Sequence, residues 1–184
     1  MSISTKTDNN SNFKTNILIA GILCALTAVA VVFGILNYNQ MQIRLERIDG
    51  ATFVIIAHGQ EHVVTVDVLN EMGLQSFTAN RRSSGMPVPV EAHFAGVPLA
   101  DLCTFLGIDI SDAAGIVAAA ADGFHVGIGI DRVLDNTNVW IAAMEDGVPL
   151  ASREEGGIGP FMLVVRHDTF SQNWCRYLIE ITFR

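Results

Sequence analysis

Twenty consecutive residues, Ile17 to Leu36, carry only two side chains with any polarity, Cys24 and Thr27. In helical form such a run is about 30 Å long, which matches the hydrocarbon core of a bilayer. It is therefore a membrane anchor or a signal sequence. A signal sequence has a shorter apolar centre followed by a small-x-small cleavage site. Here the run is full length and ends in Leu36-Asn37-Tyr38-Asn39-Gln40, with Tyr38 as an interfacial residue, so an uncleaved anchor is expected.

The span orders the rest of the chain. Residues 1–16 are rich in Ser, Thr and Asn with nothing to bury, which predicts a disordered tail. Residues 17–36 form the transmembrane helix, residues 37–50 a stalk, and residues 51–184 a single domain long enough for a real core. Lys6 and Lys14 precede the span and Arg44 and Arg47 follow it, so the positive-inside count is nearly balanced. The expected arrangement is a single-pass protein of the cell membrane, with its N-terminus cytoplasmic and its domain extracytoplasmic.

The net charge is −8 overall. Without Lys6, Lys14 and Asp8, nine cations face eighteen anions from Ile17 onward, a net −9. That balance argues against nucleic acid or anionic lipid headgroups as partners of the domain. There is no Lys after Lys14, and the only adjacent cations are Arg81 and Arg82. Arginine's planar fork suits phosphate or carboxylate recognition.

Residue patterns predict a mixture of strands and short helices. Thr52 to Ala57 is apolar and β-branched, a strand, and Thr65 is placed to cap a helix from Val66 to Met72 that ends at Gly73. Gln75 to Asn80 reads as a strand, Ser83-Ser84-Gly85 as a turn, Pro87 to Phe94 as extended, and Leu99 to Leu106 as a helix closed by Gly107. Gly115 to Ala121 and Phe124 to Ile130 flank Asp122-Gly123, a hairpin signal, and Asp131 to Leu134 leaves room for one helical turn. Val139 to Met144, a turn at Glu145-Asp146-Gly147, the apolar run Phe161 to Val165 and a long strand from Trp174 to Phe183 complete the pattern. The fold class is α+β with a mixed, largely antiparallel sheet.

The succession Phe94-Ala95-Gly96-Val97-Pro98-Leu99-Ala100-Asp101-Leu102, Ala121-Asp122-Gly123-Phe124, Val139-Trp140-Ile141-Ala142 with Gly147-Val148-Pro149-Leu150, and Gly156-Gly157-Ile158-Gly159-Pro160-Phe161-Met162-Leu163-Val164-Val165 resembles the molybdopterin-binding domain of the sulfite oxidase family. The resemblance runs from about Ala51 to Arg184 and implies an α+β fold. It also gives Phe77-Thr78-Ala79-Asn80-Arg81-Arg82 a counterpart, since catalytic members look like Cys-Ala-Gly-Asn-Arg-Arg there, the Cys thiolate ligating molybdenum. Asn80, Arg81 and Arg82 match, and Phe77 stands where the thiolate should be. A phenyl ring cannot ligate a metal.

Two functional classes follow. One is a non-catalytic module that binds a small anionic or pterin-like ligand, or a membrane protein partner. The other is a molybdopterin-dependent oxidoreductase whose metal is coordinated without a protein thiolate. Candidate binding residues are Asn80, Arg81 and Arg82, with His125 after the Asp122-Gly123 turn, His167 at the end of a buried strand, and Arg176 opposite Cys175 on the last strand. Each has a structural alternative: solvated loop cations, a turn-forming Asn, a hairpin His, a strand-terminating polar pair.

No catalytic residue and no metal ligand set is indicated. Cys103 and Cys175 lack paired zinc or haem spacings and read as core thiols, with pairing open if the fold brings them together. His58 and His62 are four apart, but Gly59 lies between them in an extended or turn-like context. Gly156-Gly157-Ile158-Gly159 lacks the Lys and Ser or Thr of a phosphate-binding loop.

Overall fold

The computed structural model describes residues 8–49, 51–82 and 88–184. It divides into two compact units, Met1–Ile43 and Arg44–Arg184. The helix α1 (Asp8–Asp49) forms the described part of the first, and its last residues belong to the second. Within it Asn16–Asn39 is long and apolar enough to cross a membrane, and its described side chains are exposed. The helix begins at Asp8, inside the segment expected to be disordered, and continues to Asp49 in the expected stalk; residues 1–7 and 50 of those segments lie outside the described residues. The predicted turn at Ser83-Ser84-Gly85 and the start of the predicted extended segment at Pro87 lie outside the described residues.

Two five-stranded sheets build the second unit. Strands β1 (Thr52–Ala57), β2 (Gln60–Thr65), β5 (Gly115–Ala120), β6 (His125–Gly129) and β10 (Leu178–Phe183) form the first sheet, in the order β2-β1-β10-β5-β6. Strands β3 (Gln75–Arg81), β4 (Val90–Pro98), β7 (Val139–Glu145) and β8 (Val148–Pro149) form the second in that order, and β9 (Met162–Val165) pairs with β7. Helices α2 (Val66–Met72), α3 (Leu99–Phe105) and α4 (Ile130–Leu134) connect them. Strands β1 and β10 run parallel, and every other named strand pair is antiparallel.

Local chemistry explains most boundaries. The Thr65 hydroxyl accepts from the Val68 amide at 3.4 Å and so caps α2, and Gly73 takes φ 80° after it. In the β7–β8 turn Asp146 and Gly147 both have positive φ, 51° and 79°, as a two-residue hairpin turn matching strand twist requires. The same geometry at His58 and Gly59 joins β1 to β2. Pattern reading misses β2 because His-Gly is a weaker turn signal than Asp-Gly.

The long strand expected from Trp174 to Phe183 begins only at Leu178. Tyr177 adopts φ 52°, which no extended strand tolerates, and its amide turns to donate to the Ile158 carbonyl at 3.0 Å. Ahead of that kink, Leu163 and Cys175 exchange two backbone hydrogen bonds of 2.9 Å, and the Leu178 amide donates to the Phe161 carbonyl at 3.0 Å. The chain thus passes from one sheet to the other beside β9, whose four side chains are all buried.

One core joins the sheets. Phe53 and Ile55 from the first share a cluster with Phe77, Val97, Ile141 and Leu163 from the second. The Phe53 and Phe161 rings meet edge to face at 5.0 Å. Full burial of a ring such as Phe53 is worth about 1.5–3 kcal/mol. Cys103 and Cys175 lie in this core as free thiols, and burial pushes both up to about 12, so they stay protonated and unreactive.

Close approach of β4 to β7 depends on Gly96, where a Cβ would collide with the Ile141 carbonyl and the Ala142 backbone. At Gly127 on β6 a Cβ would meet only the Ile116 oxygen, at 3.9 Å. Gly96→Ala is expected to destabilise the domain by about 1–3 kcal/mol or more, while Gly127→Ala is tolerated. Chemical denaturation of the two variants checks this, and equal midpoints would contradict it.

Candidate functional site

Strand alternation decides which members of the Phe77 to Arg82 run can act together. Successive side chains on β3 point to opposite faces, and its burial follows suit: Phe77 and Ala79 are buried, Thr78 is half-buried and Asn80 is exposed. Arg81 therefore faces with Phe77, and Asn80 faces away.

Phe77 is enclosed by aromatic rings. It stacks on Trp140 with centroids 4.4 Å apart and lies 5.5 Å from Phe94, which meets Trp174 edge to face at 5.6 Å. Only 6% of Phe77 is exposed. The position matching the family's thiolate is thus a packing position in β3, held by β4 and β7.

Arg81 emerges beside this cluster. Its guanidinium pairs with the Glu145 carboxylate at the end of β7 and lies 5.9 Å from the Phe94 ring, while its Nε is buried without a hydrogen-bond partner. Arg81, Glu145 and Arg176 line a groove of about 470 Å³ with Asp146, Val148 to Ala151, Gly157 and Ile158. A Cβ at Gly157 or Gly159 would collide with Ala151 or Leu150, so these glycines let the two arms of the 150–159 loop pack together. Tyr177 secures that loop by donating its hydroxyl to the Gly157 carbonyl at 3.0 Å.

Arg82 goes elsewhere. Its guanidinium lies 4.7 Å from the Phe170 ring centroid, and its carbonyl accepts from the Ser171 amide and hydroxyl at 3.1 and 3.0 Å. Asn80 and His167 share a second depression of about 260 Å³ with Thr78, Ala79, Glu91 and Arg166. Arg166 donates from Nε to the Thr78 carbonyl at 2.9 Å, which ties β3 to the end of β9. His167 lies 3.5 Å from the Asp135 carboxylate. Asp135 is held below the usual carboxylate range, first by the Thr137 hydroxyl and then by the Thr137 amide.

His125 stands apart on β6, its Nδ1 2.8 Å from the Gly123 carbonyl of its own turn. His58 contacts the Asp109 carbonyl at 2.8 Å, and His62 lies on β2, so the pair does not share a helical face. No group of three or more His, Cys, Asp or Glu suited to hold a metal occurs among the described residues. Of the six candidates, Arg81 and Arg176 come together, as do Asn80 and His167. Arg82 and His125 join neither pair.

No family model and no curated protein matches this chain. Among solved structures, the sulfane dehydrogenase SoxCD from Paracoccus pantotrophus is similar, with a TM-score of 0.58 and 18% identity. The likeness is one of fold. It covers 72% of this chain but only 37% of the SoxCD chain. It agrees with the α+β fold implied by the sulfite oxidase resemblance.

Molybdenum ligated by a thiolate does not fit the residues present. The position that the sequence resemblance matches to the thiolate, Phe77, holds a buried ring with no lone pair to give, and Arg81 and Asn80 point to opposite faces. Pattern reading gives Glu145 only a turn position, gives Asn138 no role, and reads Asp168 with His167 as a polar pair at the end of a buried strand. Glu145 neutralises Arg81, Asn138 accepts from the His167 amide at 3.2 Å, and Asp168 pairs with Arg132. Their partners lie 29 to 64 residues away in sequence, so no local motif marks them.

Phe77→Cys is expected to lower stability by about 2–4 kcal/mol through the void it opens between Trp140 and Phe94. The new thiol should react with a maleimide only after unfolding. Fast labelling of the native variant would show that the position is open to a ligand.

Proposed function

We propose that this chain is a membrane-anchored, non-catalytic binding module on a sulfite-oxidase-like fold, with its tail cytoplasmic and its domain extracytoplasmic. The observation that carries the non-catalytic reading is the burial of Phe77 against Trp140 at the thiolate position. Loss of a metal ligand alone leaves cofactor chemistry open, because the cofactor carries the reaction. Its replacement by a packed aromatic cluster goes further: the ring at this position packs on Trp140 and Phe94, side chains that the core needs.

The groove along Arg81 and Arg176 is the binding site in this reading. Its volume lies within the ~300–1,000 Å³ usual for small organic ligands, and its walls combine a few charged groups with apolar surface. The ligand carries an anionic group for Arg176. The anchoring helix holds the site at a membrane surface, and the acidic domain keeps nucleic acid away.

Full-length protein purified in detergent from a host that makes the molybdenum cofactor should contain molybdenum far below stoichiometry by elemental analysis. Stoichiometric molybdenum would overturn this reading in favour of an oxidoreductase with non-thiolate coordination. A C-terminal alkaline phosphatase fusion should be active, since that reporter matures only outside the cytoplasm. An inactive fusion whose cytoplasmic reporter counterpart is active would reverse the topology.

A further inference from the structure

The charges lining the Arg81 groove sum to zero: Arg81 and Arg176 face Glu145 and Asp146. Arg81 and Glu145 neutralise each other as an ion pair, with Arg81 Nε left without a hydrogen-bond partner. Arg176 and Asp146 remain. Neither side chain has a hydrogen-bond or ion-pair partner among the described residues, and the two do not pair with each other across the cavity they share.

A simple anion is poorly matched to this site. Whatever Arg176 offers is opposed by Asp146, and the surrounding domain is strongly acidic, so the long-range field repels an anion before it arrives. A cation meets Arg176 in the same way. A molecule bearing both charges satisfies both groups and has no net charge for the domain to repel. The rest of the lining is aliphatic, from Val148, Leu150 and Ile158, and 470 Å³ holds far more than an inorganic ion.

We propose that the groove between the end of β3 and the β7–β8 hairpin binds a small aliphatic zwitterion, its acidic group on Arg176 and its ammonium on Asp146. This rests on the binding-module reading above and names the ligand class for that site. Val148 and Asp146 are carried on the hairpin and Arg176 on the segment leading to β10, so the opposite charges in this lining come from different segments of the chain. The Arg81–Glu145 pair in the same lining is already neutral.

Calorimetric titration of the full-length protein in detergent tests this with L-leucine against isocaproate, ε-aminocaproate against caproate, and sodium sulfate. At least one amino compound should bind about fivefold or more tighter than its deaminated counterpart, the size of one exposed charge contact. Asp146→Asn should erase that preference, and Arg176→Gln should abolish binding of both members of the pair. Both side chains are exposed, and unchanged circular dichroism confirms that the variants fold.

Carboxylates or sulfate binding as well as the amino compounds, with Asp146→Asn silent, would overturn the zwitterion and leave a plain anion-binding module. Absence of heat with every probe would overturn it too. Only stoichiometric molybdenum in the same preparation would remove the binding-module reading itself.

Discussion

The packing of Phe77 against Trp140 and Phe94 positions everything of functional interest in this domain. It locks β3 to β4 and β7, and through Phe94 it reaches Trp174 on the segment that carries Arg176. Arg81 leaves the strand at the edge of that cluster, and Glu145 comes from the strand that supplies Trp140. The groove is therefore built beside an aromatic cluster that holds the strands carrying Arg81 and Glu145. An aromatic pair of this kind contributes about 0.5–1.5 kcal/mol beyond area burial. A cysteine at the same place would give none of that.

Where local chemistry controls the backbone, the sequence already shows the structure. Thr65 caps α2, Asp122-Gly123 and Asp146-Gly147 turn hairpins, and the apolar run of β9 is buried on both faces. Where the cause is tertiary, it does not. Alternation continues through Cys175, Tyr177 and Ile179 as though one strand ran through them, yet Tyr177 is bent into the left-handed region to hand the chain from β9 to β10. The burial of both sheets in one cluster outweighs the local cost of that φ.

The candidate site was visible as residue types but not as a grouping. Asn80, Arg81 and Arg82 look like one unit because they are consecutive, and period-two geometry separates them. Arg81 belongs instead with Arg176, 95 positions on, and Arg82 serves the Phe170–Ser171 turn. Replacing both arginines at once would therefore mix a groove residue with a packing residue. It would also strip the half-buried Glu145 of its partner, and an unpaired buried carboxylate is costly in its own right. Arg176, exposed and unpaired, is the cleaner probe of binding.

Arginine is the only cation in the domain, and its distribution is informative. Arg81 meets Glu145, Arg132 meets Asp168, Arg82 and Arg153 lie near the Phe170 and Tyr177 rings, and Arg166 holds the Thr78 carbonyl. The positive charge is thus largely committed to structure within an acidic shell. A binding site in such a domain cannot rely on net potential to gather its ligand. Its selectivity must come from where single charges of opposite sign stand, and the groove offers one unpaired group of each.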